Sequence, residues 1–248
     1  FGINGYYPLM AVKANMIGMS FTNARPAVCP TFGIQPTLGT NPIAFGAPTD
    51  EECPFIFDAA TSITQRGKIE VYAREEKSVP PDWVVDSANK PLQNAKNILQ
   101  GFLVDSAALL PLGGKEELTG SHKGYGLSTM VEILSASLQS GAFLFGLSGI
   151  DPNTGLPSKF RVGHFFMALN IAAFTEVSDF RSITGNILRE LRNTRKAPGH
   201  ERIFTAGEKE YENELRVREE GIPIVPNLQK DICYIQNLLH LPDYGFNF

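Results

Sequence analysis

Hydrophobic and polar positions along the chain follow two periods. Tyr6, Leu9, Met10 and Lys13 recur at helical spacing and predict a helix over residues 6–15, with Pro8 tolerated only in its first turn. Short apolar runs at 17–21, 43–45 and 54–57, and a longer one at 162–170, predict strands. Helices are predicted over 63–76, 125–140, 179–192, 209–220 and 228–239. In 125–140, Met130, Ile133, Leu134, Ser137 and Leu138 form one stripe; in 179–192, Phe180, Ile183, Ile187, Leu188 and Leu191 are expected to face inward. Residues 23–41, rich in Pro, Gly, Thr and Asn, read as loop, as do 109–120 and 142–157. Residues 79–93 form a Pro- and Asp-containing excursion that holds the single tryptophan, Trp83.

These elements alternate without the even strand–helix rhythm of a doubly wound sheet. No GxGxxG follows a strand and opens a helix, so a Rossmann nucleotide site is not expected. Any nucleotide would be held by another backbone arrangement.

Composition narrows the function classes. With 248 residues, 43% of them hydrophobic and 19% charged, the chain can bury a substantial core. The net charge of -4 and the lack of a basic run argue against nucleic acid as a partner. No apolar run reaches the roughly 18 residues a bilayer span needs, so no membrane partner is expected. Cys29, Cys53 and Cys233 are too scattered for a disulfide framework or zinc knuckle, which fits a reducing cytoplasm. No metal-ligand motif is present.

Four segments can carry chemistry. Gly39-Thr40-Asn41-Pro42 is a tight turn with polar side chains near the backbone. Asp58-Ala59-Ala60-Thr61-Ser62 follows a strand. Its small residues would let a flat ligand approach, with Asp58 accepting from ribose hydroxyls; equally, Thr61 or Ser62 could simply cap the next helix. In Gly120-Ser121-His122-Lys123-Gly124-Tyr125-Gly126, Lys123 places a cation at an already positive helix start, which makes sense if an anion sits there. The other reading is a surface His-Lys pair in a flexible loop. Thr205-Ala206-Gly207-Glu208 has capping-box spacing, which accounts for it structurally, and Gly207 could also meet a ligand. His164, among Phe165, Phe166 and Met167, reads as a satisfied core or interface histidine.

Taken in order, Phe1-Gly2-Ile3-Asn4-Gly5-Tyr6-Tyr7, Thr22-Asn23, Gly39 to Phe45, Asp58 to Ser62, Arg66-Gly67-Lys68, Leu110 to Gly114, Ser121 to Gly126 and Gly163 to Phe166 resemble the malate/L-lactate dehydrogenase family. The resemblance runs from Phe1 to about Ile224. It implies a non-Rossmann α/β fold: a mixed NAD(P)-binding sheet with flanking helices and a helical C-terminal segment, usually in a homodimer. It divides the chain into a cofactor-binding region, 1–175, and a helical segment, 176–248, expected to pack on a preceding N-terminal part. It implies cofactor contacts at Ala24, at Asp58, Ala59 and Ala60, at His122 and Lys123, and at Gly207, Glu208 and Lys209. Ala24 stands where a hydroxyl would be useful, and Ala59 where a larger apolar residue is common.

The implied activity is hydride transfer between NAD or NADP and a small 2-hydroxyacid or its 2-oxoacid. In the family a proton-transferring histidine immediately precedes the Phe-Gly that opens this chain, so the catalytic histidine is expected upstream of Phe1; Lys123 and His122 are the candidates within it. General acid–base help of that kind is worth about 10²–10⁴-fold. The alternative is a truncated, catalytically silent paralogue that binds nucleotide or a partner chain.

Overall fold

The structure, a computed structural model, describes residues 2–151, 153–242 and 244–246. Helix α1 (Tyr6–Lys13) leads into β1 (Met16–Thr22), β2 (Ile43–Ala47) and β3 (Phe55–Ala59). Much later β6 (His164–Asn170) completes a four-stranded sheet in the order β3-β2-β1-β6, with every pair antiparallel. Gly18 of β1 faces Gly46 of β2. A Cβ at Gly18 would lie 2.6 Å from Cα of Pro8, and one at Gly46 would lie 2.9 Å from Val12. The paired glycines therefore let α1 lie directly on the sheet.

The largest core cluster lies beside that sheet. Helix α2 (Arg66–Arg74) and α3 (Ala95–Gly101) pack with β4 (Val84–Asp86) and β5 (Ala107–Leu109), a second antiparallel pair. Val28, Ile69, Val84, Ile98 and Leu109 are fully buried there; burying a side chain of that size stabilises by about 1.5–3 kcal/mol. A parallel bridge between Val28 and Leu109 ties the loop after β1 to this unit. The stretch read as an excursion thus supplies β4, and α3 is an element that periodicity did not suggest.

Helix α4 (Ser121–Ala136) begins four residues earlier than its apolar spacing predicted and ends in a 3-10 turn, Ser137–Gln139. It also buries a different face. Gly124, Ser128, Val131, Glu132, Ser135 and Ala136 are inward, whereas Met130, Ile133 and Leu138 of the expected stripe are exposed. Small residues permit a close approach to the sheet, and close approach rather than bulk decides which face is covered. Helix α5 (Val177–Asn193) likewise buries only Gly185 and Leu188, while Ile183, Ile187 and Leu191 face outward. Its contacts are polar: Arg189 and Arg192 reach the loop between β2 and β3. Helices α6 (Glu208–Glu220) and α7 (Pro226–Leu238) complete the chain. Of the apolar run 143–150, Leu147 is buried in a 3-10 turn and Phe143, Phe145 and Ile150 are exposed.

Candidate active site

Strand β3 organises the site. It extends two residues further than predicted, so Asp58 and Ala59 belong to the strand rather than to a helix start. Thr61 and Ser62 are not caps: α2 starts after Gln65 without a side-chain cap, and the two hydroxyls bond to nearby carbonyls instead. Thr61 donates its amide to Thr40 O at 2.9 Å and its hydroxyl to Thr40 O and Asn41 O. Its carbonyl accepts from the Leu112 amide at 2.9 Å. Gly124 of α4 lies against the Leu112 backbone, where a Cβ would come 2.8 Å from Leu112 Cα. One strand end thus gathers the Gly39–Pro42 turn, the Leu110–Gly114 loop and the first turn of α4.

Asp58 accepts the Gly5 amide through Oδ2 at 2.7 Å. Its outer side is open to solvent, but its buried edge dominates: desolvation raises the carboxyl pKa, and the Gly5 bond only partly offsets it. Further along β3, Ile56 donates its amide to Ala206 O at 3.3 Å. Gly207 follows at φ +95°, where a Cβ would come 3.2 Å from the Ile56 backbone, and caps α6. The expected capping box is half formed. Glu208 Oε2 accepts from the Thr205 amide at 2.6 Å, but Gly207 is the N-cap and no side chain caps the helix.

Glu208 is buried and pairs with Arg192, which also holds Glu51. Desolvation is the largest influence on Glu208 and raises its pKa; the Arg192 bond, the Thr205 amide and the Arg192 charge together outweigh it, so the carboxyl is held below its usual range. Arg189, bonded to Asp50 and Glu51, extends this network. The start of α6 is thereby clamped to the β2–β3 loop. Lys209 is exposed, its ammonium 4.8 Å from the Phe204 ring centroid.

Ala24 lines a cleft of about 690 Å³ together with Arg25, Thr40, Arg66, Gly67 and Phe145. Asp58, Lys123 and Gly207 are not in its walls. Asp58 and Lys123 are linked to it through the Thr40–Thr61–Leu112 bonds, and Gly207 through its contact with Ile56 of β3. His122 and Lys123 are exposed in the first turn of α4, behind Gly120 at φ +92°. Thr40 and Arg66 belong to segments that carry the family resemblance without an implied cofactor role, and Arg25 carries no signal beyond its place next to Ala24. Among the described residues no group of three His, Cys, Asp or Glu side chains could hold a metal.

His164 is half-buried, with Nδ1 2.8 Å from Thr22 Oγ1. The Thr22 hydroxyl has two carbonyls, Asn23 O and Gly163 O, competing for its proton. In the neutral ring Nδ1 therefore donates to Oγ1 and the lone pair lies on Nε2. Desolvation lowers the His164 pKa.

An antiparallel sheet crowned by glycine-rich turns, with two arginines lining an open cleft beside it, defines a non-Rossmann α/β frame. The chain belongs to the malate/L-lactate dehydrogenase family, whose model matches residues 1–233. It is 44% identical over 227 residues to a malate dehydrogenase of Pyrococcus abyssi, covering 90% of this chain and 59% of that protein. It is 33% identical to an L-sulfolactate dehydrogenase of Methanothermobacter thermautotrophicus, covering 97% of this chain and 64% of the relative. The crystal structure of malate dehydrogenase from Entamoeba histolytica superposes with a TM-score of 0.91 at 43% identity, over 98% of this chain and 67% of the other. The chain thus spans about three fifths of the length of the first two relatives. No helix among the described residues is long and apolar enough to cross a membrane.

Proposed function

We propose that the protein is an NAD(P)-dependent oxidoreductase that moves a hydride between the nicotinamide and a small 2-hydroxyacid such as malate or lactate. The observation that carries this reading is the convergence on β3. Two loops and the start of α4 meet at the end of the strand that carries Asp58, and the start of α6 meets the same strand at Ile56, beside a cleft whose volume lies within the roughly 300–1,000 Å³ of small-molecule sites. The donor set suits a dinucleotide. Arg25 and Arg66 offer cations to phosphate, and Asp58 offers an acceptor to ribose hydroxyls. The first turns of α4, with His122 and Lys123, and of α6, with Gly207, Glu208 and Lys209, add the positive ends of two helix dipoles, although the Ser121, Lys123 and Glu208 amides bond to Glu116 O, Gly120 O and Thr205 O. Ala24, with no side-chain donor, would contact the group through its backbone, and Ala59 and Ala60 would leave room for a flat ring. When bound, the nicotinamide supplies the hydride acceptor or donor; the chain's part is to bind, orient and exclude water.

In this reading residues 1–175 form the cofactor region, and 176–248 pack against a part of the protein encoded before Phe1, which also supplies the proton-transferring histidine. The working unit is a homodimer. The test is to titrate the full-length protein with NADH and NADPH by fluorescence and to assay oxidation of malate, lactate and sulfolactate. Binding with turnover of one of them supports the proposal. Binding without turnover points to the silent paralogue, and binding of neither nucleotide overturns the cofactor assignment.

A further inference from the structure

We infer that Glu132 is a positioning residue for the cofactor cleft, acting through Asn41 on one wall and Leu144 on the other. The inference rests on the cleft being the NAD(P) site. Glu132 lies in the middle of α4 with 6% of its surface exposed, and among the described residues no Lys, Arg or His pairs with it. Its carboxylate is held by neutral donors. Oε1 accepts from Asn23 Nδ2 at 3.2 Å and from the Leu144 amide at 3.0 Å; Oε2 accepts from Asn41 Nδ2 at 2.9 Å. A carboxylate taken out of water without a cation is costly, and here three segments are organised around it.

Each donor leads to the site. Asn41 sits at φ +36° and turns its Oδ1 to the Ala24 amide at 3.1 Å. A Cβ on Gly39 would overlap that same Oδ1 and come 2.5 Å from Ala24 O, so the turn is built tightly around the contact. Ala24 and Thr40 then form one wall of the cleft. Leu144, itself at φ +46°, precedes Phe145, which forms the opposite wall. Asn23 turns its Oδ1 to the Gly163 amide at 2.7 Å, fixing the entry to β6 next to His164.

Charge, and not size alone, sets this arrangement. An acceptor-only group takes Nδ2 of both asparagines, alongside the Ser128 carbonyl for Asn41 at 3.1 Å and the Ala142 carbonyl for Asn23 at 3.2 Å, which leaves each Oδ1 aimed at a backbone amide. In Glu132→Gln one carboxylate oxygen becomes an amide nitrogen. Placed toward Asn41, it opposes Nδ2, so that side chain must either draw away from Glu132 or flip, which turns Nδ2 against the Ala24 N–H and Oδ1 against the Ser128 carbonyl. Placed on the other side, it faces the Leu144 N–H, which cannot flip. Either orientation releases a wall.

The experiment compares the full-length protein with E132Q and with Ser128→Ala, a buried hydroxyl one turn earlier in α4 that lacks a partner. NAD(P)H Kd, KM for cofactor and for 2-oxoacid, kcat at saturating cofactor, and Tm are measured for each. E132Q should raise cofactor Kd and KM by about ten- to a hundredfold, the scale of a contact displaced by an ångström, with kcat largely kept. S128A should leave both at the wild-type value. A lower Tm with unchanged Kd in E132Q would reduce Glu132 to a structural residue and overturn the inference, as would an equal rise in Kd in S128A. If E132Q does not fold, Asn41→Gly cuts the relay to Ala24 while keeping the positive φ. The same rise in Kd is then expected, and an unchanged Kd overturns the inference. A wild-type protein that binds neither nucleotide removes the cofactor reading itself. That outcome is distinct from wild-type binding that the variants leave intact.

Discussion

The Leu112 amide donates to Thr61 O at 2.9 Å, and this bond places the start of α4 against the strand end that carries Asp58. The approach is possible because Gly124 has no Cβ: one there would overlap the Leu112 carbonyl oxygen. Gly126, two residues on, faces open space with nothing within 4 Å of a would-be Cβ.

The two glycines therefore predict opposite outcomes for the same change. Gly124→Ala should cost about 1–3 kcal/mol through overpacking against backbone and weaken NAD(P)H binding by shifting Lys123. Gly126→Ala should be neutral or stabilise by up to about 1 kcal/mol, because alanine is the better helix former. Urea unfolding of both variants decides it; equal effects would mean that α4 does not lean on Leu112.

Acid should expose the clamp on α6. Glu208 is held below the ordinary carboxylate range, so its contribution to stability is complete above that range and is lost as pH falls through its lower folded value. Arg192→Met should cost about 2 kcal/mol at pH 7. That is less than the roughly 3–5 of a fully buried pair, since Arg192 keeps some solvent and Arg202 stands 3.7 Å from Glu208. Without Arg192, burial dominates and moves the Glu208 pKa upward, so the variant gains stability relative to wild type as pH falls. Unfolding free energies at pH 7 and pH 4 test this: the gap between the two proteins should narrow at the lower pH. A gap independent of pH would show that Glu208 is not the partner that matters.

Much of the sheet was legible in the sequence because β1, β2 and β6 are apolar runs bounded by turn residues. The loop motifs were legible for the same reason: Gly39 to Pro42 and Gly120 to Gly126 carry glycine, Thr and Asn in patterns that demand special backbone. What stayed hidden is physical rather than accidental. Helix α4 turns its small residues inward, and hydropathy periodicity weights Met130 and Ile133 above Ser128 and Ser135. Helix α5 is tied to the β2–β3 loop through Arg189 and Arg192, contacts that an apolar stripe cannot show. Glu132 reads as a solvated residue on any helix, since only the fold brings Asn23, Asn41 and the Leu144 amide to it. Arg66 lies in the sequence beside recognisable residues, but only the packing of α2 turns it toward Ala24.

Outward-facing apolar side chains on α4 bear on assembly. Ile133 and Phe143 line one depression with Tyr125 and Thr129, and 54% and 62% of their surfaces are open. In the homodimer proposed here this face is covered. Sedimentation equilibrium of the full-length protein at micromolar concentration should give a dimer, and Ile133→Asp should shift it toward monomer. A wild-type monomer would sink the proposal.

Lys123 separates binding from folding. It sits in the first turn of α4, where the helix dipole already places partial positive charge, and its side chain is exposed. Removing a cation from that end of a helix should cost little stability and can add a few tenths of a kcal/mol. If a phosphate or carboxylate of the bound state lies there, the lost charge-assisted contact is worth about 1.5–3 kcal/mol, or roughly ten- to a hundredfold in affinity. Lys123→Ala should therefore raise the Kd for NAD(P)H or the KM for the 2-oxoacid while leaving Tm near the wild-type value. Which constant moves tells which anion the lysine meets. The Kd is read by fluorescence titration, the KM by initial rates at saturating cofactor. A large fall in Tm with both constants unchanged would place Lys123 in the scaffold and leave the anion at the α4 start without a partner.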